Sequence, residues 1–299
     1  MTTPSLSWDP VTDVHQLLTF PFMVNALEAG TIVAVLAAVV GWYMVLRGQS
    51  FAGHTLSVMA FPGAAGAALA GLPASLGYYL SCGTAALIMG RGRGRGARGH
   101  GGESAAIGTV QATGLAAGFL FLSLYHGLLG GLESLLFGTF LGVSRGQVLT
   151  LLIVAAVGVG VIGLVGRPLL FATVDEQVAR AHGVPVRALD LGFMLILALA
   201  VAATSQITGA LLVFALLVAP AASAQALTAR PLLGLVLSVA FALVVVWLAL
   251  GVAYFSIYPV GFYTTTFAFG LYLLARLGRA AARRGIGRRA LIDGAPAPG

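Results

Sequence analysis

Of the residues able to do chemistry inside an apolar segment, His54 stands out. It lies in Gly53-His54-Thr55-Leu56-Ser57-Val58-Met59-Ala60-Phe61-Pro62-Gly63-Ala64-Ala65-Gly66, within a long run that has no charged residue. A solvated imidazole titrates near neutrality, and in its neutral form offers a lone pair to a divalent cation. Two readings of His54 stay open. It is either an interfacial side chain bonded to a backbone carbonyl near a helix start, or half of a two-imidazole waypoint completed by a second copy and water. Weak holding suits a pathway, because an ion held tightly would not leave. No carboxylate falls in the expected membrane interior to offset a double charge, and the nearest, Glu28 and Asp190, sit near segment ends. Thr55 and Ser57 group with His54 as pathway or packing residues. Pro62 removes a backbone bond and is expected to bend the helix. Gly63 and Gly66 would let a neighbouring helix approach closely, which needs no transport role.

A second chemistry-bearing stretch is Arg167–Asp190, RPLLFATVDEQVARAHGVPVRALD. Asp175 and Glu176 suit the positive N-terminal end of a short helix, and Arg180 and His182 suit its other end. Gly183 stops that helix and Pro185 prevents its resumption. The pattern predicts about two turns over Asp175–His182, lying along a membrane face. It is either a solvated linker or a docking element for a soluble partner. Weaker candidates are His126 and Glu133, which either are simply solvated or meet an arriving ion or its carrier. Gln206 and Thr208 would cap an outer turn, and Ser223 and Gln225 would hydrate an exit route.

These side chains must be held by a membrane scaffold. The chain has 299 residues, 59% hydrophobic and only 8% charged, against about a quarter charged in a soluble domain. Its single cysteine, Cys82, excludes an internal disulfide and a multi-cysteine zinc cluster, and reads as a small packing residue. All sixteen basic residues are arginine, which excludes a phosphate-binding loop with its lysine. If ATP powers this protein, another chain hydrolyses it. The start lacks the basic stretch of a cleavable signal peptide, so insertion is expected to begin with the first hydrophobic span.

A membrane helix needs about 20 mostly apolar residues. Uncharged tracts run Ala29–Leu46, Gly48–Gly90, Ser104–Leu132, Gly146–Gly166, Leu191–Ala229 and Pro231–Ala275. The second, fifth and sixth suit two crossings each, giving about nine in an all-α integral membrane protein. Turns are expected at Gly71-Leu72-Pro73, Thr204-Ser205-Gln206 and Ser256–Gly261, and Glu133–Val143 reads as a short re-entrant or surface helix. With the N-terminus outside and the C-terminus inside, only Arg145 of the sixteen arginines falls outside, as the excess of positive charge in cytoplasmic loops requires. The expected organisation is an external segment 1–24, a transmembrane domain 25–277 and a basic cytoplasmic tail 278–299. The arginine–glycine run Gly90–Gly102 resembles RNA-binding segments, but between two spans it reads as a positive cytoplasmic loop. No nucleic-acid partner is expected, whereas anionic lipid headgroups suit the tail.

Four segments in order carry a resemblance: Ser50–Gly71 (SFAGHTLSVMAFPGAAGAALAG), Phe137–Leu151 (FGTFLGVSRGQVLTL), Phe171–Asp190 and Thr208–Leu227 (TGALLVFALLVAPAASAQAL). Together they resemble the permease subunits of ATP-driven importers of zinc, manganese or iron(II), over about Val24 to Leu277. The resemblance implies a bacterial inner-membrane, multi-pass protein with no catalytic activity of its own. It implies a second permease copy or related permease, cytoplasmic ATPase subunits that bind the ATP, and an external metal-binding protein. The divalent metal would be transported substrate rather than a tightly bound cofactor. Val174, Asp175, Glu176, Ala179, Arg180, Gly183 and Val184 would belong to a coupling element that inserts into the ATPase. In the family, the second span carries an Asp and a His four residues apart, on one helix face, where both can meet a divalent cation. Here His54 holds the Asp position and Val58 the His position.

Other function classes leave different marks. A stand-alone secondary transporter or channel is the alternative, and coupled carriers generally use intramembrane acids, which are nearly absent. An intramembrane enzyme would show HExxH, paired acids or a clustered catalytic set, and none is present in this sequence.

Overall fold

A computed structural model describes residues 16–92, 100–125, 138, 142–210 and 212–292. Among them the regular elements are helical, in the order α1 (Pro21–Leu46), α2 (Ser50–Leu69), α3 (Ala74–Gly92), α4 (His100–Leu124), α5 (Arg145–Val174), α6 (Glu176–Ala181), α7 (Val186–Thr208), α8 (Val213–Leu227), α9 (Pro231–Tyr254) and α10 (Val260–Ile292). Five of them, α1, α5, α7, α9 and the Ser104–Leu124 part of α4, are long and apolar enough to cross a membrane. Helices α2, α3, α8 and α10 occupy the remaining uncharged tracts.

Helix α1 is the hub. Its first turn carries Pro21, whose missing N–H would lack a partner there anyway. It packs against α5, α7, α8 and α9, and it is apolar all round, as expected of a helix enclosed by others. A second group gathers α3 and α4 on α2, with α7 against both α2 and α3. Small residues set these distances. A methyl group added at Gly63 would sit 2.2 Å from the Gly77 carbonyl oxygen, and one at Gly77 would sit 2.1 Å from that of Gly63. The α2–α3 contact is therefore backbone on backbone, the arrangement small residues permit between membrane helices. Gly41 does the same for α1 and α8, where an added methyl would lie 2.1 Å from the Leu217 carbonyl oxygen.

The turn expected at Gly71-Leu72-Pro73 falls between α2 and α3, and that at Ser256–Gly261 overlaps the junction of α9 and α10. The turn expected at Thr204-Ser205-Gln206 is not there. Helix α7 runs on to Thr208 and stops at Gly209, whose φ is +76°, a conformation open to glycine. The reason lies in the hydroxyls. Thr204 donates to the Ala200 carbonyl at 2.7 Å and Ser205 to Val201 at 2.8 Å, so these buried groups satisfy themselves within the helix. The expected helix over Glu133–Val143 lies mostly outside the described residues, as do His126, Glu133 and much of the Gly90–Gly102 run.

Candidate metal pathway and docking loop

His54 lies in the second turn of α2, half-buried, with its ring edge-on to Phe214 of α8 at 5.0 Å between centroids. Its Nδ1 is buried and has no hydrogen-bond partner among the described residues. The carbonyl of His54 accepts from Ser57 Oγ at 2.7 Å. Thr55 is fully buried and donates to Gln111 Oε1 of α4 at 3.0 Å. Thr55 and Ser57 are thus engaged in holding α2. Pro62 is buried inside a continuous helix, Gly63 meets α3, and Gly66 faces the Phe121 ring.

Val58, one turn below His54, adds no ligand. Glu28 is exposed, and Asp190 is paired with Arg47. Among the described residues no group of three or more His, Cys, Asp or Glu could hold a metal ion. Among the described residues, His54 therefore stands as a single imidazole with no charge-compensating set. Two further polar residues meet between α7 and α3: Gln206 donates to the Tyr79 hydroxyl at 3.0 Å. Gln206 thus joins the last turn of α7 to α3, and Thr208 donates back to the Thr204 carbonyl. Ser223 is buried and donates to Ala219 at 2.6 Å, while Gln225 donates to the Trp42 carbonyl of α1 at 2.8 Å. Gln225 thus ties α8 to α1, whereas Ser223 bonds within its own helix.

The candidate docking loop contains the expected short helix. Helix α6 spans Glu176–Ala181, with Asp175 as its N-cap, accepting from the Val178 N–H at 2.9 Å, and His182 as its C-cap. Gly183 follows at φ +78°, the usual helix stop. Glu176 and Arg180 pair one turn apart on the exposed side. The Phe171 ring packs edge-on to His182 at 5.9 Å. Ala179 faces the other way, fully buried against Ala172 and Val186, with Val184 packed alongside. Of the residues expected to couple, Ala179 and Val184 are therefore footing, whereas Val174, Asp175, Glu176, Arg180 and Gly183 are exposed. Val174 is 78% exposed, unusual for a side chain ending a long apolar helix.

In sequence Arg47 is one of the fifteen arginines expected on the inner side. In the structure its guanidinium pairs with Asp190, donates to Thr173 Oγ1 at 3.0 Å and lies 5.2 Å from the centre of the Phe193 ring. Its position just before the glycine that ends α1 was the available signal, but nothing local names its partners.

A model of the ABC 3 transport family matches residues 19–278, nearly the whole chain. The chain belongs to that family. Among curated relatives, the manganese transport system membrane protein MntC of Halalkalibacterium halodurans is 32% identical over 219 residues, 72% of this chain and 73% of the relative. The chelated iron transport system membrane protein YfeC of Yersinia pestis is 33% identical over 249 residues, covering 81% of this chain and 80% of that one. The solved structure of PsaBC from Streptococcus pneumoniae in complex with Fab superposes with a TM-score of 0.78 at 27% identity, over 89% of this chain and 94% of that chain. Family membership makes this a multi-pass permease of the metal-ion ABC transporter type.

Proposed function

We propose that this chain is the membrane subunit of an ATP-driven importer of divalent metal ions, with manganese, iron(II) or zinc as cargo. The match over residues 19–278 carries this reading, and the relatives that transport manganese and chelated iron direct it to those metals. The chain would sit in the bacterial cytoplasmic membrane with about nine crossings, N-terminus outside, C-terminus inside and lipid headgroups around the arginines. This arrangement is supported by the distribution of arginine, with only Arg145 of sixteen on the outer side. An external metal-binding protein would deliver the ion. Two copies, or this chain and a related one, would enclose the path.

Hydrolysis of ATP would take place on separate cytoplasmic subunits, since no lysine is available here for a phosphate loop. Their grip would fall on the exposed side of α6 and on Val174 and Phe171. Closure of the ATPase pair would bring two such loops together and exchange outward-open for inward-open states, a rigid-body switch. His54 would supply one imidazole per copy. Its buried Nδ1, without a hydrogen-bond partner among the described residues, supports a ring nitrogen available to an ion. Two such imidazoles and water would hold an ion loosely, as conduction requires.

The test is accumulation of Mn2+, Fe2+, Zn2+ and Co2+ in cells with and without this gene, together with purification of the chain from its native membrane. Loss of uptake of one of these ions and co-purification of an ATPase are expected. A chain that moves cargo without ATP and never associates with an ATPase overturns the reading in favour of a stand-alone carrier.

A further inference from the structure

Arg47 holds the two roots of the docking loop at once. Helix α5 ends at Val174, α6 follows, and α7 begins at Val186. Thr173, in the last turn of α5, accepts from Arg47 Nη1 at 3.0 Å while its own hydroxyl proton goes to the Leu169 carbonyl. Asp190, in the second turn of α7, takes Arg47 Nη2. Phe193 supplies an aromatic face to the same guanidinium at 5.2 Å, where a cation is attracted by the ring. The side chain of Arg47 is 8% exposed and that of Asp190 27%. The planar fork of an arginine can satisfy several acceptors in fixed directions, which an ammonium cannot.

The other side of Arg47 leads to His54. Arg47 is the C-cap of α1, and α2 begins three residues later. The joint between them is bonded throughout: the Gly48 N–H donates to Val45, Gln49 to Met44, and Gly53 back to Gln49, at 3.0 to 3.1 Å for the first and last and 2.9 Å for the second. Gln49 is buried. The joint is short and stiff, so a displacement of Arg47 is passed to the first turns of α2, where His54 stands.

We infer that Arg47 is a positioning residue that makes the docking loop and the His54 end of α2 move as one piece. A buried ion pair is weak support for stability, and its attested use is to select one arrangement over others. Here it ties the end of α5 and the start of α7, the two helices that flank α6, to the end of the hub helix α1. The inference rests on the permease reading above.

The test uses the full complex of this chain with its ATPase, reconstituted in liposomes, measuring ATP hydrolysed per ion moved for Mn2+, Fe2+ and Zn2+. In Arg47→Ala and in the isosteric Asp190→Asn, that ratio is expected to rise about tenfold, within the usual range of coupling between sites. Arg47→Lys, which keeps the charge and loses the fork, is expected to fall between. A merely structural role would lower the amount of folded complex and leave the ratio unchanged, and an unchanged ratio overturns the inference. If neither Arg47→Ala nor Asp190→Asn accumulates in the membrane, the pair is a folding determinant and the inference is likewise overturned. Absence of ATP-dependent uptake by the wild-type complex would instead sink the permease reading itself.

Discussion

The docking loop and the His54 end of α2 contrast in how their polar groups are partnered. In the loop, Asp175 caps the helix it precedes, Glu176 meets Arg180, His182 Nδ1 lies 2.9 Å from the Val178 carbonyl, and Arg47 joins Thr173 and Asp190. At His54, by contrast, Nδ1 is buried without a partner among the described residues, and the nearest ring is an apolar phenylalanine. One region is shaped by this chain alone, so it can present a finished surface to another protein. The other offers an incomplete set of ligands, as a pathway between two copies would. On the proposed function, the loop would be rigid where force enters and the His54 site undersatisfied where the ion passes.

The largest effect should come from removing the scaffold under His54. Gly63→Val places side-chain atoms against the Gly77 carbonyl oxygen, 2.2 Å from the added Cβ. Overpacking of this kind costs about 3 kcal/mol, and a lower melting temperature of the detergent-extracted chain should report it. The docking loop should respond more mildly. Asp175→Ala removes the acceptor of the Val178 N–H, at about 1 kcal/mol. Faster hydrogen exchange at Val178 and weaker retention of the ATPase are the expected readings, and unchanged exchange would show that the cap does not hold the helix.

The smallest effect on stability and the sharpest on function belong to His54→Ala. Only the contact with Phe214 is lost, worth about 1 kcal/mol or less, while metal uptake should fail or change its preference. Uptake unchanged in rate and in preference would take His54 out of the pathway and leave the contrast between the two regions without meaning. A double-copy waypoint would also lose affinity when only one of two copies carries the substitution, measurable with a tandem-linked pair of permeases.

Local chemistry was legible in advance. The caps of α6 rest on Asp175, Gly183 and neighbours within the same ten residues, and the structure moves the expected ends by only one residue each. The small residues of α2 announced a close approach, though not that Gly77 of α3 would be the partner. Thr204-Ser205-Gln206 misled, because hydroxyl side chains that favour turns in water bond back to their own helix when buried. Ala179 looked like part of the docking face and is its floor, since a six-residue helix must turn one side inward and its short sequence does not say which.

From its residues alone, this protein was bound to be a membrane chain with a capped polar helix between long apolar tracts. Each of these follows from composition, or from groups close together along the chain. The tertiary structure decided the rest. Arg47 and Asp190 are 143 residues apart in sequence, and Gln206 and Tyr79 are 127 apart. Such pairs come from the packing of helices against one another, where many apolar faces are interchangeable by pattern and only the fit of small residues and buried polar groups selects one arrangement.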